Sequence, residues 1–530
     1  MFAAQQVAYH QTNAFSRIVL DYLNGEKNLQ PFYSVAPSKE GFRQVIEKRK
    51  NVATDRQLLV EVLAEQYASL PVYPRVQENI KLLSDRNTFT VTTAHQPNLF
   101  TGPLYFIYKI LHAIKLAEEL QRGFSEFRFV PVFYMGSEDA DLAELNHFTV
   151  RGKRYTWNTN QTGAVGRMKV DTKLLALVDE LESQVGVEPF GAEVIKLLRN
   201  CYQPGLPVQQ ATLQLAHQLF GRYGLVVLIA DDSRLKKQML RVFSDDLFHQ
   251  APSVIVSETC KKLELHYKVQ AHPREINLFY FNGDVRERIE QKGSEFCVVN
   301  TNISFTADAL TAELEQHPER FSPNVILRGL YQETILPNVA FVGGGGELAY
   351  WLQLKNLFDN YEVPFPVLLL RNSFLLVEKH QSALLEKLEL GPADCFQTEL
   401  QMLHHILEKQ GLRPQLNGEL SGLETVFEQL KARATSIDPS LRQHVEALKT
   451  KSLRQLDALE KKMLRAERKK HEAVQRQISK LKQQLFPANS LQERVENVAG
   501  YYARWGLGFI EGLYAHSKAM EQQFCILIEE

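Results

Sequence analysis

The feature that most constrains this chain is a repeated pairing of a short apolar or β-branched run with a loop and a helical-period segment. Residues 89–94, "FTVTTA", suit a buried strand. "GPLYFIYKILHAIKLAEELQ" follows with apolar residues at helical spacing and Pro103 at or near the first turn. "FRFVPVFYM" is the next strand. Strand, loop, helix and strand in that order are the signature of a βαβ unit in an α/β domain. The pattern returns in "YGLVVLIADDSRLKKQML", "NVAFVGGGGELAYWLQLKNLF" and "VPFPVLLLR". The reading is an α/β, Rossmann-like core with inserted segments at about 150–220 and 260–320. Upstream, "RQLLVEVLAEQYASL" has helical periodicity, so residues 1 to about 85 read as mostly helical.

After about Lys379 the texture changes. Asp438-Pro439 reads as an N-cap with proline at the first helical position. Leu441, Val445, Leu448, Leu456, Leu459, Met463, Val474, Ile478, Leu481 and Leu485 then recur mostly at three- and four-residue steps. Longer steps interrupt them, which predicts a coiled coil with stutters. Such a rod reaches roughly 68 Å at about 1.5 Å per residue, so it needs a partner helix from this chain or a second copy. The expected divisions are a core over 1–385, an α-helical coiled-coil domain over 386–498, and an aromatic 499–530 segment that packs back on the core.

Composition removes several classes. The 530 residues carry a formal net charge of −1, so no global field marks a nucleic-acid binder. The basic run with Lys461, Lys462, Arg465, Arg468, Lys469 and Lys470 reads either as an RNA or anionic-surface contact or as a solvated coiled-coil face. Five scattered cysteines, none in C-x-x-C spacing, speak against a disulfide framework or a structural zinc. No run approaches a membrane span, and the first residues lack the pattern of a secretory signal. The expectation is a soluble, cytoplasmic protein with no membrane and no nucleic-acid partner.

Four stretches carry candidate chemistry. In "TTAHQPNLFTGPLYFIYK", His95 and Gln96 stand beside Thr101 and Gly102 where a strand meets a helix. Free first-turn N–H groups, the helix dipole and a glycine make an anion site there. The other reading is an ordinary βα turn capped by Thr101. In "VGGGGELAYW", Gly343, Gly344, Gly345 and Gly346 precede Glu347. Helix capping needs one glycine, so the others suggest close approach to a ligand; a flexible connection is the alternative. The loop matches neither a Walker A nor a G-x-G-x-x-G motif. In "SEDADLAELNH", Glu138, Asp139 and Asp141 crowd a strand end, where α/β sheets place ligands, with Glu144 and His147 following at helical spacing. They hold an ammonium or a metal, or only start a helix. In "SPNVILRGLYQETILP", Arg328 follows a strand-like run and suits a carboxylate or phosphate clamp, or a surface ion pair. Asp231-Asp232 after "VVLIA" suits a ribose contact or a cap equally.

Together "HQPNLFTGPLYFIYK", "PVFYMGSEDADLAELNH", "SPNVILRGLYQETILPNVAFVGGGGELAYW" and the late coiled coil resemble one family, the cysteine-adding enzymes of bacillithiol biosynthesis called BshC. The resemblance covers nearly the whole chain. It implies a Rossmann-like core related to class I aminoacyl-tRNA synthetases, a coiled coil used for homodimerisation, and ligation of L-cysteine to the amine of glucosaminyl-malate (GlcN-Mal). Activation as an aminoacyl-adenylate implies ATP or a related nucleotide, with Mg2+, lying across the His95–Gly102 turn and the glycine loop. In that scheme His95, Glu138 and Asp141 are catalytic. Gln96, Thr101, Gly102, Asp139, His147, Arg328, Gly343 to Gly346 and Glu347 bind substrate or nucleotide. Relatives commonly read E-D-H-D where this chain has Ala140, and G-G-P-G-E where it has Gly345. The rival readings are a ligase with another amine acceptor and a non-catalytic coiled-coil RNA-binding or scaffold protein.

Overall fold

The computed structural model describes residues 2–412 and 416–530. The chain divides into two compact units, one of residues 1–375 with 490–527 and one of residues 376–489 with 528–530.

The first unit is organised by five parallel strands. They are β1 (Thr88–His95), β2 (Arg128–Met135), β3 (Val226–Ile229), β4 (Asn338–Gly343) and β5 (Val367–Leu370). Their spatial order is 3-2-1-4-5, every pairing parallel. This is the doubly wound order, and the direction of winding reverses between β1 and β4. The crevice that such a reversal opens lies beyond the ends of these two strands, at His95 and Gly343. The strands are buried on both faces, which is why they read as runs and not as alternations. Helix α1 (Tyr105–Gly123) crosses from β1 to β2 with twelve buried residues. Polar groups inside the sheet are paired. Asn338 Oδ1 accepts from the Thr90 and Thr92 hydroxyls at 3.1 and 2.8 Å. Buried Arg49 bonds Glu333 Oε2 at 3.0 Å and the Asn338 carbonyl at 3.0 Å. That places the N-terminal helix Lys39–Lys50 against β4.

Between β2 and β3 stand a two-stranded ribbon, His147–Val150 with Lys153–Thr156, and the helices Thr172–Val185, Gly191–Cys201 and Val208–Phe220. Between β3 and β4 stands an antiparallel sheet that includes the hairpin Leu278–Asn282 and Val285–Lys292, turned by Gly283 and Asp284. The run before Arg328 is not a strand: the strand Phe321–Pro323 ends ahead of it and Val325–Ile335 form a helix, α2, so Arg328 sits in its first turn. Asn324 caps it by accepting from the Ile326 N–H at 2.8 Å. Its apolar residues alternate too densely for periodicity to separate a buried strand from a buried helix. Helix α3 (Gly345–Trp351) begins within the glycine run, with Gly344 at its N-cap. The returning residues include the helices Val498–Trp505 and Leu507–His516.

In the second unit the long apolar pattern is not one rod. Helix Leu441–Lys470 ends, His471 takes φ −107° and ψ 28°, and helix Glu472–Leu485 begins. The break falls in the long step between Met463 and Val474. Helix Asn417–Ile437 is the partner from this chain, tied to Leu441–Lys470 by Lys431–Glu446 at 2.6 Å and Lys449–Glu428 at 2.9 Å. The first helix starts at Leu441, after Asp438 Oδ1 accepts from the Ser440 N–H. Ile478, Leu481 and Leu485 are buried. Lys461, Lys462 and Arg465 are exposed, while the side chains of Arg468, Lys469 and Lys470 lie outside the described residues. Among the described residues no helix is long and apolar enough to cross a membrane.

Candidate functional site

The crevice between β1 and β4 is bordered by two turns of different build. The first leaves β1 at His95. Its backbone takes three consecutive positive φ values, 49° at Phe100, 74° at Thr101 and 62° at Gly102. A Cβ on Gly102 would lie 2.6 Å from Asn98 Cβ, so glycine is required there by both angle and space. The Thr101 side chain is not the helix cap: its residue is fully buried and its hydroxyl has no hydrogen-bond partner among the described residues. The turn is held from outside. Buried Asn497 donates through Nδ2 to the Phe100 carbonyl at 2.8 Å and the Gly102 carbonyl at 2.6 Å. The Phe100 N–H donates to the Tyr202 hydroxyl at 3.0 Å.

The second turn is the glycine run. None of Gly343 to Gly346 has a positive φ. A Cβ on Gly343 would come within 2.8 Å of Phe341 Cε1, whereas one on Gly346 would meet nothing within 4 Å. The Gly344 N–H donates to Glu347 Oε2 at 2.8 Å. The same carboxylate forms an ion pair with Lys109, which is only 3% exposed and also donates to the Ala94 carbonyl at 2.9 Å. Lys109 thus links α1, β1 and the glycine turn. Arg371 closes the other side. Its N–H donates to the Gly343 carbonyl, and its guanidinium bonds Glu493 Oε1 at 2.7 Å and lies 5.3 Å from the Tyr105 ring.

His95 sits among these cations, with its ring 5.2 Å from Tyr105 and 6.0 Å from Phe106. Burial first, then Lys109, Arg328 and Arg371, hold its pKa well below the usual imidazole value. It is therefore a neutral ring at pH 7, and its buried Nε2 has no hydrogen-bond partner among the described residues. A neutral histidine serves as a hydrogen-bonding or positioning group, not as a proton donor.

Beyond β2 lies a cavity of about 430 Å³. Gln96, Glu138, Asp139 and Arg328 from the sequence motifs all line it, together with Asp231 and Arg286. Gln96 Nε2 donates to Asp139 Oδ2 at 3.2 Å. Arg328 Nη2 donates to the Tyr350 hydroxyl at 3.2 Å. Arg286 stacks 3.8 Å from the Phe279 ring and donates to Ser322 Oγ. Among the described residues neither arginine has a carboxylate within ion-pair distance. Glu138 is paired with Lys236, a fully buried lysine that also donates to the Glu319 carbonyl at 3.1 Å and stands 3.5 Å from Asp231. Burial, opposed by Lys236 and aided by Asp231, raises the Glu138 pKa. Asp231 receives both arms of Arg167 at 2.7 Å. Asp232 caps the next helix through the Arg234 N–H.

Of the other motif residues, His95, Thr101, Gly102, Gly343 to Gly346 and Glu347 belong to the two turns and do not line this cavity, and Asp141 and His147 stand apart from both. Asp141 caps the short helix Leu142–Leu145 by accepting from the Glu144 N–H at 3.1 Å. His147 does not continue that helix; it opens a strand, pairs with Thr156, and lies outside the cavity lining. Sequence reasoning passed over Lys109, Lys236, Arg286, Arg371 and Asn497. A lysine inside the apolar run "PLYFIYKILHAI" was a usable signal, because lysine is almost never fully buried unless paired. Asn497 carries no such mark.

Comparison with known proteins bears on this geometry. The family model described as "Bacillithiol biosynthesis BshC, N-terminal Rossmann-like domain" matches residues 2–372, and "Bacillithiol biosynthesis BshC, C-terminal coiled-coil domain" matches residues 374–529. A relative from Cytophaga hutchinsonii, named "Putative cysteine ligase BshC", is 39% identical over 94% of this chain and 94% of its own length. One of the same name from Flavobacterium psychrophilum is 39% identical over 98% of each chain. A solved structure described as a "putative arginyl t-RNA synthetase" from Campylobacter jejuni covers 83% of this chain and 98% of that one at 11% identity, but its TM-score of 0.22 carries no argument. With both family models spanning nearly every residue and the Rossmann-like sheet order in place, this chain belongs to the BshC family of bacillithiol biosynthesis.

Proposed function

We propose that this protein is a ligase that joins the carboxyl group of L-cysteine to the amine of glucosaminyl-malate, with a nucleoside triphosphate as the activating cosubstrate. The observation that carries the reading is Arg328. It lines the cavity beyond β2 with a phenol as its hydrogen-bond partner and, among the described residues, no carboxylate paired to it. A half-buried guanidinium in that state keeps donors for an anionic ligand, either phosphate or carboxylate. The residues present fit a nucleotide on a second count. The winding reversal sets the His95 turn and the glycine turn on either side of one crevice, and the His95 Nε2 buried there has no partner among the described residues. Bound ATP would supply the activation that an amide bond in water requires.

The chain's own residues then have these tasks. Arg328 and Arg286 hold and neutralise anionic groups. His95, kept neutral by burial and its cationic neighbours, orients a ligand group without adding charge. The acceptor reaches the site as an ammonium and must lose a proton before its nitrogen bonds to the acyl carbon and the activated C–O bond breaks. Glu138 is the carboxylate placed to take that proton, since it lines the cavity and its pKa is raised by burial. Asp141, engaged as a cap, has the lesser claim. Cysteine-dependent exchange between ATP and labelled pyrophosphate tests the scheme. Exchange that falls at least about 100-fold in Arg328→Met, with the fold intact, is the expected result. Ligation of cysteine without any exchange would sink the nucleotide route.

A further inference from the structure

A second hollow, of about 700 Å³, lies in the same unit and has no part in the site described above. Its lining includes Asn160, Gln161, Arg167, Lys169, Lys173 and Asp284. Two features connect it to the crevice cavity. The first is the Arg167–Asp231 pair: Arg167 lines the hollow, Asp231 lines the cavity, and their two 2.7 Å bonds form a shared wall. The second is the hairpin Leu278–Asn282 and Val285–Lys292. It puts Phe279 and Arg286 into the cavity and its Gly283–Asp284 turn into the hollow. Arg167 also stacks 4.0 Å from Phe281 of that hairpin.

The hollow is built, not left over. Gly163 has φ +85°, and a Cβ there would lie 2.3 Å from the Asp284 carbonyl oxygen, so the loop presses backbone to backbone on the hairpin turn. Gln161 fixes the loop by accepting from the Lys169 N–H at 2.7 Å and donating to the Lys169 carbonyl at 2.9 Å. Asp171 is consumed by the Trp157 indole, the Thr159 hydroxyl and the Leu174 N–H. Arg167 is consumed by Asp231. Among the described residues the Lys169 and Lys173 ammonium groups have no ion-pair partner; with the Asp284 carboxylate, likewise unpaired, they are the uncommitted charges of the lining, two positive and one negative.

We propose that this hollow is the subsite for the carboxylate-bearing end of the amine acceptor, held by Lys169 and Lys173, with the amine reaching past the Arg167–Asp231 wall into the crevice cavity. The inference rests on the ligase reading. A cavity of about 430 Å³ is the size of one small-ligand site, while the reaction brings together a nucleotide, an amino acid and a sugar conjugate. The adjoining space has the charge that a dicarboxylate such as a malyl group needs.

The test uses the full chain and separates the two claims. Wild-type protein and the Lys169→Ala, Lys173→Ala double variant are compared for cysteine-dependent ATP–pyrophosphate exchange, which needs no acceptor, and for ligation of glucosaminyl-malate and of glucosamine. The expected result is a KM for glucosaminyl-malate raised about tenfold, with kcat and the exchange rate retained. The KM for glucosamine, which has no carboxylate, stays unchanged. Lys169→Arg with Lys173→Arg restores most of the loss. An unchanged KM for glucosaminyl-malate overturns the subsite, as does a parallel fall in exchange and ligation. A wild-type protein that ligates neither acceptor overturns the ligase reading itself.

Discussion

The two turns that border the crevice invert what their sequences suggest. The glycine run, with four residues free to enter the left-handed region, uses none of that freedom: Gly343 to Gly346 all avoid positive φ. The turn after His95 has one glycine and yet takes three positive φ values in a row, two of them at Phe100 and Thr101. Such conformations cost about 1–3 kcal/mol per residue and persist only where surrounding structure over-determines them. Here the surroundings are Asn497 and Tyr202, distant in sequence and bonded to the turn. Glycine therefore marks a need for space in one turn, and tertiary bonds replace glycine in the other.

The sharpest way to break that contrast is Asn497→Asp. The change keeps the shape and an oxygen to accept from the Ala499 N–H, but removes both donors to the Phe100 and Gly102 carbonyls. Two buried acceptors are then unpaired, at about 1–3 kcal/mol each. A loss of about 3 kcal/mol in unfolding free energy is expected, with faster amide exchange in the peptide spanning the turn. Wild-type protection of that peptide would show that the turn holds itself.

This contrast also explains what was legible in the sequence. The strands β1 to β5 showed as apolar runs because burial on both faces demands them. Gln96, Glu138, Asp139 and Arg328 converge on one cavity because strand ends and the helix after them meet there, and the motif stretches pointed to that convergence. Arg328 stands out by residue type, but the run before it reads as a strand where the structure has a helix, since a dense apolar helix has no clear period. The rest depends on long-range pairing. Nothing local in "QERVENVAG" tells that Asn497 spans back to residues 100–102, or that Glu493 holds Arg371. The break at His471 was foreshadowed by the long step in the apolar pattern; the partnering of Asn417–Ile437 with the next helix was one of two open alternatives.

His95 stands between the two turns and offers a measurement of intermediate size. Its folded-state pKa is depressed, by burial first and then by three cations, well below the ordinary 6.5. The unfolded chain takes up a proton near pH 6.5 that the folded chain refuses. The stability tied to His95 is therefore fully present above that pH and declines as pH falls, by up to about 1.4 kcal/mol per pH unit. In His95→Asn this decline is absent, so its unfolding free energy between pH 6.5 and 5 has a shallower slope than the wild type. Equal slopes would mean that the imidazole is protonated in place.

The smallest effect separates the glycines from one another. Gly343 and Gly346 share a turn and an ordinary φ, but a Cβ at Gly343 meets Phe341 Cε1 at 2.8 Å and Glu347 Cβ at 3.1 Å, while one at Gly346 meets open space. Gly343→Ala forces a shift in packed groups and is expected to cost about 1 kcal/mol. Gly346→Ala lies in the first turn of α3, where alanine is the better helix former, and is expected to stabilise by about 0.5–1 kcal/mol. Chemical denaturation reads both signs. ATP affinity, by calorimetry on the same two proteins, then says what the open space at Gly346 is for. A variant that is more stable yet binds ATP more weakly means that the ligand passes where the methyl group stands. A variant more stable with full affinity means that the fourth glycine is a connection with no ligand against it, and moves the proposed nucleotide site nearer His95 and Arg328.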